Sequence, residues 1–209
     1  MASRRKSPPR RLAFDPLPST TFGVKILSRS KAPGALIGRV AMWYWLDDEA
    51  DHELTKDVDF AVPQASMPSI LDALRETEAE VSQLVIGGIN ARIARHGILA
   101  DFIDRSSEEW GNLQPLYLDA IRAAEAQDDV YEGAPVAPPE HLVAMKLAAG
   151  TDKDERDAIR LLAKVKDLDV DRIRDLIRKF LGPGLLGRFE ECLRRAGHPQ
   201  ARRAYTAGS

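Results

Sequence analysis

The chain has 209 residues, 44% of them hydrophobic and 30% charged, with a formal net charge of −2. That is the balance of an ordinary globular chain, long enough for one α/β domain with a helical appendix. Near-neutral charge argues against a dedicated nucleic-acid coat, while leaving a local basic patch open. The single cysteine, Cys192, excludes an intrachain disulfide and a cysteine-based zinc cage. His52, His96, His141 and His198 have no ligand-like spacing and are expected to be surface or packing residues. No apolar run approaches the roughly 20 residues of a membrane span.

In chain order, residues 1–21 are basic and proline-rich, with Arg4, Arg5, Lys6, Arg10 and Arg11 preceding the first acid, Asp15. A disordered tail is expected there, with a weak tether to nucleic acid or an acidic partner as the other reading. No apolar h-region follows, so a secretory signal is not expected and a cytoplasmic location is. A short helix is read over 22–30, a compact strand over 34–38 ending at Gly38, and two helical turns over 39–46. Residues 47–54 form an acidic loop, and 55–63 a strand stopped by Pro63. Ser66, Pro68 and the spacing of Ile70, Leu71, Leu74 and Val81 predict a helix over 66–81.

Gly87-Gly88, flanked by apolar runs, predicts a tight hairpin turn, because a type I′ turn needs positive φ twice. His96-Gly97 offers a second turn, so two or three antiparallel strands are expected over 83–105, the last being 98–104. Residues 106–127 read as helical in their second half, and Ser106 with Glu109 resembles a capping box. A short strand or turn follows at 129–137. From Pro138 onward everything reads as helix: 138–150, 152–165, 169–182 and 184–197. The expected organisation is a tail (1–21), a mixed α/β body (22–137) and a helical C-terminal segment (138–209).

The stretch "TKDVDFAV" (55–62) carries the chemistry. In a strand, Asp57 and Asp59 project to one face with Cβ atoms roughly 6–7 Å apart, while Val58, Phe60 and Val62 enter the core. Two carboxylates so placed repel unless water or a cation lies between them. Mg²⁺ favours such all-oxygen sites, with phosphate oxygens and water completing the shell. A glycine turn at Gly38 entering a helix could aim free N–H groups at a phosphate. If the strand holding Asp101 pairs beside "DVDF", three carboxylates converge, as a two-metal phosphoryl-transfer site requires. Asp104 competes with Asp101 but stands at the strand end beside Arg105, where a surface role is expected.

The pieces "LIGRVAM" (36–42), "TKDVDFAV" (55–62), "ADFID" (100–104), "PPEHLVAMKLAAG" (138–150) and "KDERDAIRLL" (153–162) recur here in a specific order and spacing. Together they resemble the nucleotidyltransferase fold of the DNA polymerase β superfamily. The similarity is to its small prokaryotic members, including nucleotidyltransferase-like proteins of abortive-infection and toxin–antitoxin systems. The resemblance implies a small mixed sheet flanked by helices, with a helical C-terminal segment. It implies Mg²⁺-dependent transfer of a nucleoside monophosphate from an NTP to an acceptor hydroxyl on a small molecule, protein or RNA. Asp57, Asp59 and Asp101 would hold two Mg²⁺ ions, with Asp101 acting as or beside the general base. Gly38, Arg39, Lys56 and Lys146 would serve the nucleotide, while Asp154 and Asp157 match acids of a later helix. A small cognate protein is an implied partner.

The chain departs from that pattern in two places. Arg39 stands where the family has a small residue, so its guanidinium either takes the triphosphate or pairs with the acidic loop. Glu53 stands where a basic residue is common, and Asp47, Asp48, Glu49, Asp51 and Glu53 would repel a polyanion if they faced the site. These departures motivate an alternative: a catalytically weak protein that works by binding a partner.

Overall fold

The computed structural model describes residues 15–202. Most of the expected tail lies outside these residues, but its last five positions do not behave as tail. Helix α1 spans Leu17–Ser30, five residues longer than the sequence reading. Pro18 suits a first turn, and the Asp15 carboxylate accepts from the Leu17 N–H at 3.0 Å.

The elements that follow are β1 (Ala35–Ile37), α2 (Gly38–Trp45), β2 (Val58–Ala61) and α3 (Met67–Arg75). Next come β3 (Glu80–Gln83), β4 (Gly88–Ile93), β5 (Ile98–Ile103), α4 (Gln114–Glu125), and the short pair β6 (Val130–Tyr131) and β7 (Ala134–Pro135). Helices α5 (Pro139–Ala149), α6 (Asp152–Lys164), α7 (Val170–Leu176) and α8 (Leu186–Arg195) complete the described chain. Gly150 ends α5 in the left-handed region, while Thr151 and Asp169 cap α6 and α7 through their side-chain oxygens. The turn Ile177–Leu181 after α7 is wider, of π type.

The main sheet has five strands in the order β1-β2-β5-β4-β3. Strands β2 and β5 run parallel, and every other neighbouring pair is antiparallel. The expected mixed sheet with flanking helices is therefore the observed architecture. Phe60 and Phe102, opposite each other in register, stack at 5.8 Å between centroids on the sheet's apolar face. Helix α1 packs there, with Gly23 against the Phe60 ring.

Three local readings need correction. Helix α3 stops at Arg75 rather than at residue 81, because the Thr77 N–H and hydroxyl both turn back to the Leu74 carbonyl. Residues 80–83 instead pair with β4 as the sheet edge, a tertiary choice that helical spacing could not anticipate. The hairpin turn is Leu84–Gly87, closed by Gly87 N–H to Leu84 O at 3.0 Å, and Gly88 already belongs to β4. A Cβ at Gly88 would stand 2.2 Å from the Phe102 carbonyl, so the second glycine permits close strand approach. Finally, Ser106 does not cap a helix; its N–H and hydroxyl donate to Asp104, at 3.0 and 2.7 Å.

A side chain at position 23 has no room, since its Cβ would lie 2.1 Å from the Phe60 ring. Gly23→Val is expected to cost about 1–3 kcal/mol by overpacking. Urea unfolding should show a lower midpoint with an unchanged slope, and an unchanged midpoint would refute this packing.

Candidate metal centre

Parallel pairing of β2 with β5 sets Asp59 directly opposite Asp101. Asp57, two residues before Asp59, projects to the same face of the sheet. One carboxylate oxygen from each of Asp57, Asp59 and Asp101 lies within 4.8 Å of the others. Two oxygens bound at ~2.1 Å to a shared Mg²⁺ lie at most ~4.2 Å apart, so the observed cluster is close to a ligand set. The three residues expected to converge do converge.

Each acid is oriented by a neighbour. The Thr55 hydroxyl donates to the Asp57 carboxylate at 2.8 Å. The Asn90 side-chain amide donates to the Asp101 carboxylate, across the β4–β5 register that pairs the two residues. Gly38, at φ +67°, lies against Asp59: a Cβ there would stand 1.9 Å from the carboxylate oxygen. The glycine at the start of α2 thus makes room for the acid, whatever else it serves.

The cluster is electrostatically costly. Burial, then the charges of Asp57 and Asp101, push the Asp59 carboxyl up to about 7, against partial relief from Lys146 and Lys153. Burial also raises Asp101, opposed by the Asn90 hydrogen bond and assisted by Asp57. The Tyr117 hydroxyl, buried on α4 near this charge, is pushed up to about 12, chiefly by burial. Clustered carboxylates where burial and mutual repulsion raise the proton affinity of Asp59 are chemically suited to a hard divalent cation.

The other expected site residues fall elsewhere. Arg39 does not reach out for phosphate. It is buried, donating to Leu54 O at 2.8 Å and Glu53 at 2.6 Å, with Asp157 at 3.5 Å. Pairing with the acidic loop is therefore the role the structure shows. Lys146 meets neither a triad carboxylate nor open space; it pairs with Asp154 at 3.0 Å and Asp157 at 2.9 Å, and only its field reaches Asp59. Lys56 is exposed and lines a cleft beside Asn90. Asp104, expected at the surface, is buried as the acceptor for Ser106. His141 is likewise buried, bonded to Asp119 at 3.0 Å.

Three acids of the acidic loop are paired with cations. Glu53 pairs with Arg39 and with Arg160 of α6 at 2.7 Å; Asp51 meets Lys164 at 3.4 Å and Asp47 meets Lys166 at 2.7 Å. The Arg160 hydrogen bond is the chief reason that Glu53 stays below the usual carboxylate range. These pairs tie the loop to α6 and its C-terminal end and partly neutralise its charge, while Asp48 and Glu49 are exposed without an ion pair among the described residues.

No protein-family model matches the sequence, and no curated protein does. Among solved structures, the chain is similar to the antibiotic-resistance factor ANT(2'')-Ia in solution: 19% identity, 93% of this chain and 96% of that one, TM-score 0.47. It is also similar to ANT(2'')-Ia in complex with adenylyl-2''-tobramycin, at 18% identity over 77% and 95% of the two chains, TM-score 0.48. An antigenic nucleotidyltransferase-like protein from Paracoccidioides brasiliensis is similar at 15% identity over 85% and 91%, TM-score 0.45.

Sequence reasoning missed Asn90 and gave Thr55 no role. A signal for Asn90 was present in "GINARI", where Asn90 and Arg92 alternate with apolar residues and so share a face. Nothing in the sequence alone says that this face is the carboxylate face.

The raised Asp59 carboxyl has a measurable consequence. Its folded affinity for a proton exceeds the unfolded one, so stability without metal falls as pH rises from about 4 to 7, and the penalty is complete above 7. Mg²⁺ competes with that proton. The rise in Tm on adding Mg²⁺ is therefore expected to be larger at pH 8 than at pH 5, and Asp59→Asn should abolish the difference. Equal Mg²⁺ effects at both pH values in the unsubstituted protein would refute the site's electrostatics.

Proposed function

We propose that this protein is a Mg²⁺-dependent nucleotidyltransferase, moving a nucleoside monophosphate from an NTP to an acceptor hydroxyl. The observation that carries the reading is the convergence of Asp57, Asp59 and Asp101 from two strands in parallel register. Described residues elsewhere offer no second group of three potential metal-ligating side chains. The sequence resemblance, in the order and spacing of its pieces, supplies the reaction class; the fold alone would not.

Asp57, Asp59 and Asp101 are the residues that would hold the metal. Bound Mg²⁺ would offset the triphosphate charge and favour the ionised acceptor oxygen. Asp101, nearest to β4 and steadied by Asn90, is the group placed to take the acceptor's hydroxyl proton. The acceptor oxygen bonds to the α-phosphorus as the bond to the bridging oxygen breaks, and pyrophosphate leaves with that electron pair. Gly38 opens the helix end at β1, the side on which the nucleotide's phosphates would lie.

The alternative of a catalytically weak binding protein rested on Arg39, Glu53 and the acidic loop. Their pairing with each other and with α6 accounts for them structurally, so no observation favours that alternative. A cytoplasmic toxin–antitoxin or phage-defence setting, with a small cognate partner, belongs to the same proposal. It predicts growth arrest on induced expression that Asp57→Ala relieves; arrest that persists in the variant would sink it.

Isothermal titration with Mg²⁺ and each NTP tests the chemistry. At least one NTP should bind, and Asp57→Ala/Asp59→Ala should weaken metal-dependent binding roughly 100-fold, since several kcal/mol of charge stabilisation is removed. An unsubstituted protein that binds no NTP would rule out the transferase, and unchanged binding by the double variant would rule out this metal site.

A further inference from the structure

The sheet order leaves one side of the carboxylates to be explained. Gly38 follows β1, which borders β2; on the other side of Asp59 lies β5, which carries Asp101, and then β4. An in-line transfer needs the acceptor oxygen and the leaving pyrophosphate on opposite sides of the α-phosphorus. On the β4 side there is a cleft of about 430 Å³, lined by Lys56, Asn90, Arg92, Gly97 and Leu99 among others. That is within the range of small-molecule sites, about 300–1,000 Å³.

Three observations tie this cleft to the carboxylates and define its chemistry. Asn90 lines it and also donates to Asp101, so one side chain touches both the cleft and the triad. Arg92, two residues on in β4, shares the Asn90 face, and Lys56 immediately precedes Asp57. Both cations are exposed, and neither has an ion-pair partner among the described residues. Glu80 stands opposite Arg92 in the β3–β4 register without forming an ion pair with it, and nearby Arg95 is taken by Glu78. Arg39, Arg160 and Arg174, by contrast, each pair with a carboxylate. Two unpaired cations at the mouth of an acidic site are suited to an anion.

Building on the nucleotidyltransferase reading, we propose that the Lys56–Arg92 cleft is the acceptor subsite, and that it selects a small hydroxyl compound carrying a phosphate group. The phosphate binds Arg92 and Lys56, which points the hydroxyl toward Asp101. The near-neutral chain lacks the charge of a nucleic-acid coat, so a small phosphorylated acceptor is preferred over an RNA end. A polycationic acceptor would meet two like charges at this entrance.

The test is titration of the full chain, with Mg²⁺ and a non-hydrolysable ATP analogue present, using ribose 5-phosphate, ribose, tobramycin and a short oligoribonucleotide as probes. Ribose 5-phosphate should bind at least tenfold more tightly than ribose or tobramycin. Arg92→Glu and Lys56→Glu should each weaken it about tenfold or more, and in Arg92→Glu affinity for the ATP analogue should stay within about twofold. Both substitutions are at exposed positions, and an unchanged thermal midpoint would confirm folding. Equal binding of ribose and ribose 5-phosphate, tighter binding of tobramycin, or tenfold tighter binding of the oligoribonucleotide would overturn this inference alone. Loss of ATP-analogue binding in Arg92→Glu would overturn it by assigning the cleft to the nucleotide. Failure of the unsubstituted protein to bind any nucleotide would instead overturn the transferase reading beneath it.

Discussion

Everything at the candidate site depends on one strand pairing. Because β2 and β5 run parallel with Asp59 opposite Asp101, two carboxylates from positions 42 residues apart share one patch of sheet, and Asp57 adds a third. Such a patch opposes folding: burial and mutual repulsion raise the proton affinity of Asp59 to neutrality. The opposite face of the same strands offsets that cost. Val58, Phe60, Ala100 and Phe102 are fully buried there, and the Phe60–Phe102 stack locks the register that creates the repulsion. Slipping the pairing by one residue would expose the phenylalanines and bury the aspartates, so the apolar face enforces the electrostatic one.

A second layer of charge handling holds the frame around the site. Buried Asp157 on α6 is approached by Lys146 of α5, Arg39 of α2 and Arg160 of its own helix. Arg39 also takes Glu53 and the Leu54 carbonyl, drawing in the acidic loop. This network joins the helix that starts at Gly38 to the C-terminal helices and confines the loop's negative charge to their surface. Removing one member would strand a buried charge, which is why such networks resist piecemeal substitution. The same contacts offset the charge of three of the loop's five acids.

The β4–β5 hairpin links site and fold in a different way. Gly88 lets β4 approach the Phe102 carbonyl closely, and that approach sets Asn90 beside Asp101 and Arg92 beyond it. Asn90 supplies a hydrogen bond that favours the ionised Asp101, whereas burial favours its protonated form. The edge strand β3 adds little burial of its own, its four residues all being exposed. The cleft by Lys56 and Arg92 thus lies where the sheet gives way to solvent, on the side away from β1.

Much of this was legible from residue order. Alternation in "TKDVDFAV" separated core from carboxylate face, the glycine after "ALI" marked the strand-to-helix turn, and prolines, glycines and capping residues placed most C-terminal helices within a residue or two. These are local properties, read at periods of 2 and 3.6 residues. Other features depended on which segments meet. The end of α3 and the strand at 80–83 were decided by the open edge of β4, and the burial of Asp104 and His141 by partners at Ser106 and Asp119. The sequence could name Arg39 and Glu53 as departures from a motif, but only the folding of the acidic loop between α2 and Arg160 of α6 made them a pair. By itself, then, the sequence determined which face of each segment is polar and which acids could bind a cation. The tertiary structure decided which polar faces oppose one another, because register and long-range charge pairing are properties of contacts between distant segments.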